Sequence, residues 1–375
     1  MAGLCAGAGG LEMAVSQVTG AVPLWLAEND PWAVAVLAER FPGVPNVGDI
    51  TTADWSSLPA VDVLAAGFPC TDISDAGPRT GITGPRSSVW KNVAEAVSVL
   101  RPRLVMLENV AAIRGRGLDT VVTDLAALGY GVRWVCVYAS DVKAPHPRRR
   151  WFAVAVPLSE SPLPGWDSVR EPMPMHGMFT GGVVRVAPGL PTALRRTGLL
   201  PSPTAADGTG GPGTSPKRTG GINLRTAVSL LPTPKASDGP HGGPSQRDAA
   251  GHFYLPGVAG HLLPADGSEW SWVCADGRDF GPAVKRWQGV LQQGAPCPVT
   301  RGHGGGLSLA PAFAEWMMGW PPGHVTATRT PAPRSQQLRI IGNGVVPRQA
   351  AYAYRFLLSQ WRNGSGPRAG TRTAR

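Results

Sequence analysis

The sequence of 375 residues contains few cysteines and no long apolar run. Its five cysteines are scattered and form no Cys-x-x-Cys pair, which argues against a disulfide framework and a structural zinc site. The seven histidines show no metal-ligand spacing, so we expect no metal. No apolar stretch approaches the roughly 18 residues of a membrane span, and the N-terminus lacks a charged-then-apolar leader. These absences predict a soluble intracellular protein with no membrane partner.

Acidic residues are scarce in the second half of the chain. Residues 1–157 hold 13 Lys and Arg against 14 Asp and Glu, whereas residues 158–375 hold 22 against 11. A basic half indicates a polyanionic partner, and nucleic acid is the commonest one. Arginine supplies 30 of the 35 basic residues, so a GC-rich genome is an alternative explanation. The end of the chain, residues 363–375, is basic and predicted to be disordered.

Glycine and proline become dense beyond the first half: residues 201–250 contain 17 of them, against 11 in residues 1–50. This density predicts loops and short strands. Within it, LLPSPTAADG at 199–208 recurs as LLPTPKASDG at 230–239, identical at seven of ten positions. Two copies are too few for a solenoid. We interpret them as paired turn units, which either serve as loop scaffolding or contact a ligand.

The first half alternates apolar runs with helical patterns. The runs lie at 23–26, 61–65, 104–107, 131–139 and 151–156, and the helical patterns at 11–18, 32–40, 89–100 and 118–128. This alternation predicts an α/β fold with a doubly wound, mostly parallel sheet. Such sheets bind ligands at the carboxyl ends of their strands, where the motifs below should lie.

The first motif is the small-residue turn Ala6-Gly7-Ala8-Gly9-Gly10, which lets a ligand approach the backbone and leads into a helix. Glu28 follows Gly7 by 21 residues, where an acidic side chain would hold ribose hydroxyls. Asp49 follows a further apolar segment and could bind an adenine amine. The third glycine of the dinucleotide fingerprint is missing, so the set favours an adenosine site over NAD.

The second motif is GFPC, in which Cys70 directly follows a proline at a strand end. This position suits a nucleophile, whose reactive form is the thiolate. A buried structural cysteine is the alternative. The loop at 74–88, rich in Gly, Pro and Arg, predicts a lid that carries positive charge onto a phosphate backbone.

The remaining motifs carry charge at the ends of later apolar segments. Glu108 ends a very apolar strand, where desolvation would raise its pKa and let it donate and accept a proton; a helix cap is the alternative. Arg148 and Arg150 would point the same way in an extended chain, or form a solvated basic turn. The last motif, IIGNGVVPRQA at 340–350, predicts a Gly-Asn-Gly turn that enters an apolar helix.

The order of these motifs resembles the DNA cytosine-5 methyltransferases, especially the compact bacterial and phage enzymes. AGAGG, GFPC, ENV, RRR and GN-x-V match in order and spacing, and PAFAEWMMGWPPG resembles the segment before the final turn. The resemblance covers residues 3–157 and 305–362. It implies a Rossmann-like catalytic and cofactor-binding domain at 1–157, completed by 305–362, with a target-recognition region at 158–304.

The resemblance implies methyl transfer from S-adenosylmethionine to carbon 5 of a flipped-out cytosine in double-stranded DNA, through a covalent adduct with Cys70. Glu108 would activate the ring, and Arg148 and Arg150 would hold the base. The implied cofactor residues are Ala6, Gly7, Ala8, Gly10, Glu28, Asp49, Ile50, Pro69, Asn343 and Val345. The candidate DNA contacts are Ser74, Arg79, Arg86, Arg195, Arg196, Arg218 and Arg225. We expect a monomer in the cytoplasm of a bacterial or phage-infected bacterial cell.

Three positions depart from the family pattern. Cys5 stands where a Phe usually packs on adenine, Asn29 where a Trp is common, and Gly3 where an acid is usual; Trp32 is the candidate replacement for the aromatic surface. A start site further upstream would explain the short first strand. The alternative functions are RNA cytosine-5 methylation, a catalytically inactive DNA-binding relative and, more distantly, a dinucleotide oxidoreductase.

Overall fold

The computed structural model describes residues 1–69, 89–158, 229–239, 243, 245–248, 251–262, 271–274, 278–301, 307–329 and 331–362. It also gives the backbone of two short strands, Phe179–Thr180 and Val183–Val184. Several residues singled out from the sequence lie outside the described residues: Cys70, Ser74, Arg79, Arg86, Arg195, Arg196, Arg218 and Arg225.

The centre of the fold is a six-stranded sheet. Its strands are β1 (Ala2–Leu4), β2 (Trp25–Ala27), β3 (Val63–Ala66), β4 (Leu104–Val110), β5 (Tyr130–Tyr138) and β6 (Arg149–Pro157), in the order β2-β1-β3-β4-β6-β5. The first four strands are parallel, and β6 pairs antiparallel with both β4 and β5. The prediction of a doubly wound, mostly parallel sheet is confirmed. The two antiparallel pairings arise because a short connection with one 3-10 turn, Ala139–Val142, joins β5 to β6 in place of a crossover α-helix.

Helices cover both faces of the sheet. The first half contributes α1 (Gly10–Thr19), α2 (Pro31–Arg40), α3 (Val89–Leu100), α4 (Ile113–Arg116) and α5 (Leu118–Ala127). The second half contributes α6 (Leu255–Gly260), α7 (Gly281–Leu291), α8 (Pro311–Met317), α9 (Arg334–Asn343) and α10 (Pro347–Arg362), together with a hairpin of Val299–Arg301 and Leu307–Leu309. α1, α2, α3 and α5 begin and end close to the bounds that the sequence predicts, whereas the short helix α4 was not predicted.

Alternation along the strands divides the core between the two faces of the sheet. Val105 and Leu107 of β4 pack on one face with Trp90 and Val93 of α3. Residues of β4 that point the other way pack with α1 and α10, where Tyr354 donates its hydroxyl to the Leu107 carbonyl at 3.0 Å. The last helix of the chain is therefore part of the same sheet packing as the first.

Two local predictions are wrong. Glu108 does not end its strand, because β4 continues to Val110 through antiparallel pairing with β6. The predicted Gly-Asn-Gly turn is instead the end of α9, which reaches Asn343, and the turn is confined to residues 344–346 before Pro347 begins α10.

A separate apolar cluster lies in the second half of the described chain. It joins Trp287, Phe313, Trp316 and Trp320 to residues of α6 and α9. Within the described residues, no helix is both long and apolar enough to cross a membrane. The same residues contain no group of three or more His, Cys, Asp or Glu side chains arranged to hold a metal ion.

Candidate active site

A cavity of about 950 Å³ opens where β1, β2, β3 and β4 end. Its lining includes every residue that the sequence assigns to the cofactor, together with Glu108, Arg148 and Arg150. These residues are separated by up to 339 positions in the sequence (Ala6 to Val345), and the fold brings them to one edge of the sheet. This is the edge where parallel α/β sheets bind ligands.

The small-residue turn after β1 forms the floor of this cavity. Gly7 and Gly9 have left-handed φ angles of 55° and 81°, which cost little only for glycine. A side chain at Gly10 would place its Cβ 2.8 Å from the Val345 carbonyl oxygen. The turn therefore requires small residues for its own geometry and for close packing against the segment after α9.

Glu28, at the end of β2, fixes the turn to the neighbouring loop. Its carboxylate accepts hydrogen bonds from the backbone N–H groups of Gly7 at 2.7 Å, Asn29 at 3.0 Å and Asp30 at 2.9 Å. A carboxylate offers about four acceptor positions, so one remains for an incoming hydroxyl. The position of Glu28 on the cavity wall is the one predicted for a ribose-binding acid.

Asp49 lies nearby as a second carboxylate on the wall. It accepts hydrogen bonds from the Thr51 backbone and hydroxyl and from the Asn29 side chain, and these bonds lower the pKa of Asp49. The group therefore stays ionised and can only accept hydrogen bonds, as an exocyclic amine requires. The neighbouring Ile50 is buried and also lines the cavity.

The missing aromatic surface is not replaced by Trp32. That side chain packs against the apolar cluster of the second half and is absent from the cavity lining. Cys5 does line the cavity, and burial raises the pKa of its thiol to about 12, with further contributions from nearby acidic groups. Cys5 is thus a neutral, weakly polar wall residue.

Glu108 and Arg150 form the charged pair of the site. Arg150 Nε lies 3.1 Å from Glu108 Oε1, and both side chains are largely shielded from solvent. Burial raises the pKa of Glu108, while the positive charges of Arg150 and then Arg148 oppose the rise. The sequence correctly predicts the direction of this shift. A carboxyl in this environment holds its proton more tightly than a carboxyl in water does.

Arg148 has different partners from Arg150. Its buried guanidinium donates to the main-chain carbonyls of Gly344 at 2.7 Å, Gly342 at 3.0 Å and Pro234 at 3.3 Å. These bonds fasten the segments around residues 234 and 342–344 to the start of β6. The roles of Arg148 and Arg150 in holding a base stay predictions.

Asn109 is a site residue that the sequence reasoning did not single out beyond its place in ENV. Its side-chain amide donates to the Phe68 carbonyl at 3.1 Å, and both residues are buried. The Phe68 ring packs on Trp90 with centroids 5.2 Å apart, which fixes the chain that enters Pro69. Asn109 therefore positions the chain two residues before Cys70, which itself lies outside the described residues.

The cavity wall also includes Thr233, Pro234, Lys235, Ala236 and Ser237 from the second copy of the repeated decapeptide. The sequence left open whether this copy contacts a ligand or is loop scaffolding. Its Pro234 carbonyl accepts a hydrogen bond from Arg148, so part of the intervening region lines the same cavity; contact with a ligand stays a prediction. The repeat itself was the signal that could have identified it.

The glycine turn after β1 and the acid after β2 lie at the ligand edge of a mostly parallel, Rossmann-like sheet. Among solved structures, the methyltransferase EhMeth of Entamoeba histolytica has this fold, with a TM-score of 0.52 and 12% sequence identity over 96% of this chain and 97% of that chain.

Sequence comparison finds relatives of the first part of the chain. Residues 1–169 match the family model described as C-5 cytosine-specific DNA methylase. Type II methyltransferase M2.BsuMI of Bacillus subtilis (strain 168) is 36% identical over 160 residues, which cover 40% of each protein. Type II methyltransferase M.CviJI of Paramecium bursaria Chlorella virus IL3A is 32% identical over 155 residues, 41% of this chain and 42% of that protein. The matches thus span about two fifths of these relatives.

Proposed function

We propose that this protein transfers a methyl group from S-adenosylmethionine to carbon 5 of cytosine in double-stranded DNA. The observation that carries the proposal is the buried Glu108–Arg150 pair, which shares one cavity with the glycine turn, Glu28 and Pro69. The residues proposed to bind the cofactor and an acid of raised pKa therefore line the same cavity as Pro69, which precedes Cys70. The family of residues 1–169 supports the same reaction.

The residues of the cavity fit the donor. Gly7 lines the cavity, and a Cβ at this position would meet no atom within 4 Å, so the turn leaves open space above its backbone. Glu28 would hold ribose hydroxyls and Asp49 the adenine amine, while Ile50, Pro69, Asn343 and Val345 would form further wall positions. When bound, S-adenosylmethionine supplies an electrophilic methyl carbon.

The protein residues activate the cytosine. The Cys70 thiolate would form a bond to carbon 6, and the electron pair of the 5–6 double bond would make carbon 5 nucleophilic. In its protonated form, which burial favours by raising the pKa, Glu108 would donate a hydrogen bond to the ring nitrogen as negative charge develops there. Loss of the carbon 5 proton to a base would then expel the thiolate and restore the double bond.

The base must leave the DNA stack for this chemistry, at a cost of a few kcal/mol. Phosphate contacts from the basic second half of the chain would offset that cost. The candidates Ser74, Arg79, Arg86, Arg195, Arg196, Arg218 and Arg225 remain predictions for these contacts, since they lie outside the described residues.

Bisulfite sequencing of host DNA after expression tests the proposal, because it reports activity and target sequence together. Duplex DNA that contains 5-fluorocytosine at the target should trap the protein covalently, since fluorine cannot leave carbon 5 as a proton does. Cys70→Ser should bind DNA without forming the adduct, and Glu108→Gln should slow its formation at least 100-fold. A Cys70→Ser variant that still transfers tritiated methyl groups would refute Cys70 as nucleophile. Faster methylation of tRNA than of duplex DNA would refute the DNA substrate.

A further inference from the structure

The segment at residues 233–237 lies on the cavity wall although it comes from outside the family-matched residues. It is anchored on both sides. Leu231, just before it, is buried and donates its N–H to the Pro145 carbonyl at 2.8 Å. Arg148 donates to the Pro234 carbonyl within the segment. Bonds to residues 145 and 148, just before β6, therefore hold the segment in a fixed place on the cavity wall.

Close packing against α9 fixes the same segment from the other side. A Cβ at Gly342 would overlap the main chain of Lys235 and Ala236, and one at Gly239 would overlap the main chain of Ser335. The buried Asp238 side chain accepts the Lys235 backbone N–H at 2.8 Å and closes a short 3-10 helix, Ala236–Asp238. The main chain therefore has a single well-defined path, while the residues Lys235 and Ser237 remain exposed.

Charge distinguishes Lys235 from three other cations of the cavity. Arg339 pairs with Asp30, Arg150 pairs with Glu108, and Arg148 donates to main-chain carbonyls. Among the described residues, Lys235 has no carboxylate at salt-bridge distance, and its electrostatic interaction with the buried Asp238 acts over a longer distance. Its ammonium lies 4.2 Å from the centroid of the Tyr254 ring. The aromatic face orients the ammonium without neutralising its charge.

Ser237 adds a hydroxyl two residues away on the same wall. Within the part of the chain that the structure describes, this hydroxyl has no hydrogen-bond partner, and Ser237 is exposed. An ammonium and a hydroxyl on a rigid segment match the way proteins contact the phosphodiester backbone. The neighbouring carboxylates of the cavity, Glu28 and Asp49, lie at the donor-binding turn and would repel a phosphate from that end.

We propose that Lys235 and Ser237 bind a backbone phosphate of the DNA strand next to the nucleotide that enters the cavity. This inference rests on the proposed function. It gives the second copy of the repeat a role as a phosphate clamp, held in register with Glu108 and Arg150 by the bonds of Arg148. Because the clamp contacts only the backbone, it positions the target nucleotide without selecting the sequence around it.

Salt dependence of DNA binding tests the clamp. The target sequence comes from bisulfite sequencing, and the affinity of wild type and variants for that duplex is measured across salt concentrations. Losing one phosphate contact makes the negative slope of log K, where K is the association constant, against log salt concentration less steep by about 0.9. Lys235→Gln should show this decrease, and Lys235→Arg should restore the wild-type slope. Lys285→Gln is the matched control, since Lys285 is exposed on α7 and absent from the cavity lining.

Neutral phosphates locate the contact. Methylphosphonates, which carry no charge, replace the phosphates around the target cytosine one at a time. At one position next to the target, this replacement should weaken DNA binding by the wild type and should not weaken DNA binding by Lys235→Gln any further. Ser237→Ala should reduce the affinity for DNA, and the methylphosphonate at that same position should weaken binding of this variant less than it weakens wild-type binding. An unchanged slope in Lys235→Gln, or an equal decrease in Lys285→Gln, would overturn the clamp while wild-type methylation stands. A wild type that neither methylates nor binds DNA would instead overturn the proposed function.

Discussion

Glu12 should make the protein lose stability as the pH rises, and Glu12→Gln should remove that loss. The side chain lies in the first turn of α1, fully buried, and within the described residues neither carboxyl oxygen has a hydrogen-bond partner from another residue. Burial raises the pKa of Glu12 from 4.5 to about 8, with a smaller contribution from Glu28. The native state therefore holds the proton more tightly than the unfolded chain does.

The sign and size of the effect follow from this difference. The stabilisation is complete below pH 4.5 and is lost as the pH rises towards about 8. At about 1.4 kcal/mol per pKa unit, the full loss is about 5 kcal/mol, of which about 3 kcal/mol falls between pH 6 and 9. Glutamine has the same shape and does not titrate, so only the wild type should show this component.

Urea unfolding from pH 6 to pH 9 measures the difference. The free energy of unfolding of Glu12→Gln, minus that of the wild type, should increase by about 3 kcal/mol across this range. Other buried acids with raised pKa values, such as Asp141 and Asp238, are present in both proteins and cancel in the difference. Parallel stability curves for the two proteins would refute the reasoning, because they would mean that Glu12 titrates at its ordinary pKa.

Three further predictions concern the walls of the cavity. Gly342→Ala should lower the methylation rate at least tenfold, because the new Cβ would displace the 233–237 segment. Steady-state kinetics compares this variant with Gly115→Ala, whose Cβ meets nothing within 4 Å. Equal rates for the two variants would contradict the prediction. Arg150→Met removes a positive charge that opposes the rise in the pKa of Glu108, so this pKa should rise further. The alkaline limb of the pH profile of kcat/KM should move to higher pH, and kcat should fall. An unmoved limb would argue against the Glu108–Arg150 pair. Arg148→Lys should destabilise the fold by about 1–3 kcal/mol in urea unfolding, since one ammonium cannot reproduce the guanidinium fork, and wild-type stability would count against that role.

Local patterns in the sequence were sufficient to predict the sheet and the glycine turn after β1. The apolar runs and helical spacings between residues 11 and 156 depend on neighbours a few positions apart, and the structure reproduces them. The positions of the glycine turn and Glu28 were also predictable, because the residues that directly follow a parallel strand lie at the carboxyl edge of the sheet, where ligands bind. Membership of the cavity was therefore predictable for these residues.

Contacts between distant segments were not predictable in this way. The alternation of Arg148 and Arg150 suggested similar roles, but the partners of Arg148 are carbonyls 86 to 196 residues further along the chain. Gly3 looked like a missing acid, yet in the structure a Cβ at that position would overlap the Glu12 carboxyl, which fills the space from α1. Both cases depend on three-dimensional packing that no local period encodes.

The Arg148 clasp has a consequence for exchanging recognition regions between relatives. One guanidinium joins the start of β6 to the carbonyls of Pro234, Gly342 and Gly344, so a module exchanged as residues 158–304 would carry one of these three acceptors with it. A chimera that imports foreign sequence up to residue 228 keeps the native clasp intact. A graft that continues through residue 239 replaces one of its three acceptors, and its donor must supply a backbone of the same shape.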